Sequence, residues 1–162
     1  MEIPFSPDEV LQMAEQIERN GAKFYRRAAD QAADAALAEL LGRLAGWEDE
    51  HERTFTDLRR QVVASGASAT DPQEGAGLAG RYLQALAEGE VFDTRSDPSE
   101  WLGEGRSRED ILRYAVGLEK DSVVFYTGMK EVVPGTDNKQ HIDRIIAEEM
   151  HHISELAKML SR

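Results

Sequence analysis

Apolar residues recur in steps of three and four along four long stretches, from about 6 to 33, 34 to 65, 107 to 133 and 136 to 161. That period matches 3.6 residues per turn and predicts four long helices, each with one face turned to a core. Ala, Leu, Glu and Arg dominate these stretches, all good helix formers, and no convincing strand alternation is present. Ser6 is placed as an N-cap, with Pro7 at the first helical position and Glu9 three residues after the cap. Ser107 and Asp110 repeat the arrangement. Pro134-Gly135 marks a stop, with Thr136 or Asp137 as the next cap, while the first two helices meet at a softer boundary capped by Asp34.

Residues 66 to 106 differ in composition. "SGASATDPQEGAG" and "DTRSDPSEWLGEGRS" are rich in Gly, Ser, Asp and Pro and read as loop, with a short helix expected in "LAGRYLQALAEGEVF" between them. A connection of this length fits a crossover that lets the second and third long helices run parallel. The expectation is one all-α domain, a four-helix bundle of two antiparallel pairs, 6–65 and 107–161, joined by a long crossover.

The inward stripes contain residues that a bundle core should exclude. The first runs Leu11, Ala14, Glu18, Gly21, Tyr25, Ala28, and the second Leu37, Leu41, Leu44, Glu48, His51, Phe55, Leu58, Val62. The third runs Leu112, Ala115, Glu119, Ser122, Tyr126, Met129, and the fourth Ile142, Ile145, Glu149, His152, Leu156, Met159. Shifting the first half by 101 residues overlays it on the second without a gap: Glu18 falls on Glu119, Phe24-Tyr25 on Phe125-Tyr126, Glu48 on Glu149, His51 on His152. Low identity elsewhere reads as an old duplication of a helix pair.

Near the end, "AEEMHHISEL" holds two overlapping Glu-x-x-His pairs whose directions differ by about 100°. The stripe and the repeat select Glu149 and His152. Glu148 and His151 lie off the stripe, His151 on a mostly solvated face that favours a solvated histidine over a group supporting the site or an interface, and replacing either is expected to leave metal binding nearly intact. Trp47 and Phe55 read as core or interface residues, and His141 as a surface residue.

Four clustered buried carboxylates repel one another and each pays a desolvation cost of several kcal/mol. Two divalent cations neutralise four carboxylates with matching charge, and two imidazoles complete the coordination. Carboxylate oxygen with imidazole nitrogen suits iron or manganese, and also zinc. The bland alternative is a polar network inside a bundle without metal.

The chain of 162 residues has 19 Lys+Arg against 31 Asp+Glu, a formal charge of −12, which argues against nucleic acid as a partner. It contains no cysteine, which excludes disulfides, thiolate zinc sites and Fe–S or rubredoxin-type centres within it. Neither a signal peptide nor a membrane span is visible, so a soluble cytoplasmic protein is expected.

These residues resemble the rubrerythrin and ferritin-like di-iron carboxylate family, whose signature is a Glu from each of two helices and a Glu-x-x-His from each of two others. The single glutamates are Glu18 in "EQIERNGAKFY" and Glu119 in "VGLEKDSVVFY", and the pairs are Glu48-His51 and Glu149-His152. The resemblance implies a ferritin-like bundle and two iron ions, with manganese, a mixed Fe/Mn pair or zinc as substitutes. Glu48 and Glu149 would bridge the metals, Glu18 and Glu119 would be terminal, and each metal would have one histidine. Tyr25 and Tyr126, candidate catalytic residues, would lie within reach of a ligand carboxylate, although an aromatic on a core stripe is by default packing. The implied activity is reaction with hydrogen peroxide or dioxygen, with re-reduction by an external rubredoxin-like or flavoprotein donor in a homodimer or higher homo-oligomer. Ferroxidase or iron handling is the alternative, and a metal-stabilised binding or sensor module the third reading. Two departures matter: Ser122 stands where rubrerythrins carry a further glutamate, and this chain holds no rubredoxin-like cysteines.

Overall fold

The computed structural model describes residues 5–66, 77–87, 96–103 and 105–161. Its helices are α1 (Pro7–Gln31), α2 (Ala35–Ala64), α3 (Gly77–Ala87), α4 (Ser99–Leu102), α5 (Arg108–Val132) and α6 (Thr136–Leu160). The two expected capping boxes are present: Ser6 accepts from the Glu9 amide and Ser107 from the Asp110 amide, each with its reciprocal bond. Asp34 caps α2 by accepting from the Leu37 amide at 2.7 Å. The start of α6 corrects the expectation. Gly135, at φ 91°, is the cap and Thr136 is already helical. There the Asn138 side chain donates to the Pro134 carbonyl at 2.8 Å and holds the turn. The positive φ there favours glycine.

Side-chain contacts fix the directions. Asp8 meets Arg59 and Arg26 meets Asp49, so α1 and α2 are antiparallel. Lys130 meets Asp143 while Arg108 approaches Met159, so α5 and α6 are antiparallel too. Tyr25 reaches Glu119 and Tyr126 reaches Glu18, which makes α1 antiparallel to α5. It follows that α2 and α5 run parallel, as the length of the crossover predicted.

The expected short crossover helix is α3, which lends Leu83 and Leu86 to the core. The remainder of that stretch, and most of the first expected loop, lie outside the described residues. The second expected loop contains an element the sequence did not announce, α4. Four residues cannot hold a helix alone. Leu102 is buried against the second apolar cluster, and Trp101 stacks on Tyr114 with centroids 4.0 Å apart. The Arg106 guanidinium lies over the Trp101 ring, 4.4 Å from its centroid.

Two apolar clusters fill the bundle. One gathers Leu11, Phe55, Leu58, Phe125, Met129 and Ile142 toward one end, and the other Phe24, Leu41, Leu44, Leu112 and Leu156 toward the other. Burying each such side chain contributes about 1.5–3 kcal/mol. Between the clusters the same helices place Glu18, Glu48, Glu119, Glu149, His51 and His152, all buried. No helix among the described residues is long and apolar enough to cross a membrane.

Candidate metal centre

Each long helix brings its inward stripe to the middle of the bundle, and every stripe residue is buried except Gly21, which is half-buried. The six residues selected from sequence therefore meet. Their donor atoms form two groups, Glu18, Glu48, His51 and Glu149, and Glu48, Glu119, Glu149 and His152, each within 4.8 Å of one another. Glu48 and Glu149 belong to both. His51 points Nδ1 inward, 3.2 Å from Glu149 and 3.6 Å from Glu18. His152 does likewise, with Nδ1 2.9 Å from Glu149, 3.5 Å from Glu48 and 3.7 Å from Glu119.

The donor set fits a cation. Glu18 Oε2, Glu48 Oε1, His51 Nδ1 and Glu149 Oε1 are fully buried and have no hydrogen-bond partner among the described residues. Orphaned buried polar atoms are costly, and four converging ones point to a positive charge that satisfies them together.

Electrostatics carry the same message. Burial and the neighbouring Glu149 and Glu18 carboxylates hold the Glu48 carboxyl well above its usual range. Glu149 is pushed up to about 8, first by burial and then by Glu119 and Glu18. Burial lowers the affinity of His51 for its proton, but Glu149 and Glu18 outweigh that and raise it to about 11. His152 rises to about 9, where Glu119 and Glu149 overcome burial. Glu119 moves the other way: burial raises it, and bonds to His152, Glu149 and Tyr25 pull it below its usual value. Without a metal, the cluster keeps protons to reduce its own repulsion.

The tyrosines cross between the repeats. Tyr25 of α1 donates to Glu119 of α5, and Tyr126 of α5 donates to Glu18 of α1. Both hydroxyls are buried beside carboxylates and resist ionisation, with burial as the largest cause.

Glu148 departs from its sequence reading. Its side chain is 48% exposed, yet Oε2 lies 2.8 Å from the outward Nε2 of His51. It is not a bystander, because its length lets it reach across from α6 to α2. His151 is exposed as expected. Trp47 lies flat over His152, with centroids 4.9 Å apart and planes 8° apart. Phe55 packs on Tyr126 in the core.

Two cavities approach the cluster from different sides. One, of about 360 Å³, is bordered by Gly21, Tyr25, Glu48, Glu119, Tyr114 and Ser122. The other, of about 370 Å³, runs along α2 and α6 past His51, Glu148, Asp57 and Arg144. Gly21 matters to the first: a Cβ there would stand 2.8 Å from Glu48 Oε2.

A bundle of this topology with paired Glu and Glu-x-x-His positions in its core defines a class, and the chain belongs to it: the ferritin-like domain family, whose model matches residues 6–162. It is also similar to a crystal structure from Thermotoga maritima, of a protein provisionally described as ferritin-like diiron-carboxylate. That likeness has a TM-score of 0.79 and 21% identity, over 100% of this chain and 99% of the other, and it speaks to the fold alone. No curated protein matches the sequence.

Proposed function

We propose that this protein is a di-iron carboxylate oxidoreductase that reacts with hydrogen peroxide or dioxygen and is re-reduced by an external donor. The observation that carries this reading is the pair of four-atom donor groups sharing Glu48 and Glu149. In it, Glu18, Glu48, His51 and Glu149 would hold one ion and Glu48, Glu119, Glu149 and His152 the other, with Glu48 and Glu149 serving both positions and one histidine at each. Bound iron supplies one-electron chemistry between Fe(II) and Fe(III). Manganese satisfies the same donors, and zinc would occupy them without redox activity.

The chain's own residues do the rest. The apolar clusters on either side exclude water from the carboxylates. Tyr25 and Tyr126 fix the outer carboxylates, Glu119 and Glu18, by hydrogen bonds. The cavity beside Gly21 and Ser122 gives a small oxidant a path to Glu48 and Glu119, with Tyr25 on its wall. Reducing peroxide to two waters takes two electrons and two protons. With no cysteine in the chain, the electrons come from a rubredoxin-like or flavoprotein partner.

Ser122 favours a second reading. A glutamate there would add a fifth carboxylate and a seventh ligand, and without it the donors are balanced between the repeats, which suits a ferroxidase with Fe(II) as substrate. Anaerobic Fe(II) loading followed by peroxide distinguishes the two. Fast oxidation with repeated turnover on added reductant is expected for the peroxidase. Oxidation with iron accumulating beyond two per chain is the ferroxidase outcome, and failure to bind metal sinks both.

A further inference from the structure

The 101-residue repeat makes the two halves of the centre comparable position by position, and among the pairs that differ one touches the histidines. The counterpart of Glu148 is Trp47. Glu148 lies 2.8 Å from the outer nitrogen of His51, whereas Trp47 stacks on the face of His152. A carboxylate behind an imidazole fixes its tautomer and orientation and makes its inner nitrogen a better donor. An indole on the ring face restrains tilt but accepts no proton from the ring nitrogen.

The donor atoms are unequal in the same sense. Of the orphaned atoms, Glu48 Oε1 and Glu149 Oε1 belong to residues of both groups, but Glu18 Oε2 and His51 Nδ1 belong to the His51 group alone, and neither Glu119 nor His152 has such an atom. The tyrosine bonds are the same on both sides, Tyr25 to Glu119 and Tyr126 to Glu18, but His152 Nδ1 is hydrogen-bonded to Glu149 at 2.9 Å, whereas His51 Nδ1 stands 3.2 Å from Glu149 without a hydrogen bond. A cation entering the first group satisfies atoms that have no partner. One entering the second must first displace a hydrogen bond.

Resting on the two-metal reading above, we propose that the two metal positions are unequal. Glu148 positions His51, so the position of Glu18, Glu48, His51 and Glu149 fills first and holds a divalent transition ion more tightly than the position of His152. The loading order is then built into the chain, not set by the sharing of Glu48 and Glu149, which serve both positions alike.

Calorimetric titration of the metal-free protein with Co(II) tests this. Wild type should take up two equivalents with separable affinities. Glu148→Ala, at a half-exposed position, should weaken the tighter equivalent by about 10- to 100-fold and leave the other in place. Glu148→Gln should lose less, because its amide oxygen still accepts from Nε2–H. At half loading, the Co(II)-shifted imidazole N–H resonance should be that of His51, identified by its loss in His51→Ala. Two indistinguishable equivalents, or a Glu148→Ala variant that weakens neither or both, overturn the proposal while leaving the two-metal reading standing. A wild-type protein that binds no Co(II) overturns that reading and the proposal with it.

Discussion

The pair α1–α2 and the pair α5–α6 reach the centre with the same spacing of Glu18, Glu48 and His51 against Glu119, Glu149 and His152, yet their surroundings differ. Gly21 faces Ser122 across the repeat, Trp47 faces Glu148, and the mostly buried Glu15, paired with Arg59, faces Val116. The inner residues have kept their identity because each must offer charge or a lone pair to one shared point. Their neighbours need only fill space or hold a ring, which different side chains do in different ways. Symmetry in this centre therefore belongs to the donors and the two tyrosines that hold the outer carboxylates, and not to the groups around the histidines.

The hardest test of that symmetry removes the shared carboxylates. Glu48→Ala or Glu149→Ala should abolish both metal equivalents, while Glu18→Ala and Glu119→Ala should each abolish one. Metal content of the purified variants decides it. Loss of both equivalents in Glu18→Ala would show that the donors do not divide into two groups.

The next test concerns charge without metal. Glu149, His152 and His51 are raised to about 8, 9 and 11, against unfolded values of about 4.3 for Glu and 6.5 for His. A raised group binds its proton more tightly in the folded chain, so its contribution is complete below the unfolded value and is lost as pH rises through the folded one. Glu119, lowered, opposes this with the reverse sign. Glu149, His152, His51 and Glu48, all raised, outweigh the one lowered group. The metal-free Tm should fall by several degrees between about pH 5 and pH 9. Metal affinity should rise over the same window, because the ion displaces those protons. Calorimetry with and without chelator checks both, and a metal-free Tm that climbs with pH would contradict the assignment.

Much of this was legible in the sequence because helix period and carboxylate placement are local signals. The capping boxes at Ser6 and Ser107 set two helix starts, and the repeat separated Glu149-His152 from its neighbour. What escaped depends on tertiary contact. The helix α4 exists because Trp101 and Leu102 dock on the bundle, which no four-residue pattern encodes. The reach of Glu148 to His51 depends on how α2 and α6 sit side by side. Its one sequence trace was the Trp47–Glu148 mismatch beside the matched Glu-x-x-His pairs.

Smaller changes sharpen the comparison. Tyr25→Phe and Tyr126→Phe each remove one hydrogen bond to a buried carboxylate, so each should cost about 1.5–3 kcal/mol of stability. Only Tyr25 borders the cavity that reaches Glu119. Slowed peroxide turnover should therefore appear in Tyr25→Phe and not in Tyr126→Phe, read by stopped-flow oxidation beside thermal unfolding. Gly21→Ala should fold, since the clashing atom ends a flexible side chain, but it should weaken metal binding by roughly tenfold, about 1.4 kcal/mol, because Glu48 must move. Ser122→Ala, which only deletes a hydroxyl, should bind metal like wild type.

The smallest expected effect falls beside one of the largest. His151 and His152 are adjacent, but one residue along a helix turns the side chain by about 100°. His152 is buried with Nδ1 2.9 Å from Glu149, while His151 is exposed, lies near the Glu155 carboxylate and meets Trp47 in an edge contact with ring centroids 6.4 Å apart. An exposed side chain outside any hydrogen-bond network is worth no more than about 0.5 kcal/mol. His151→Ala should therefore leave both metal equivalents and the Tm unchanged, whereas His152→Ala should lose the weaker equivalent. If the two variants exchanged phenotypes, the register of α6 would be wrong by one residue, and Glu148 would then have to be a metal donor and not the group that holds His51.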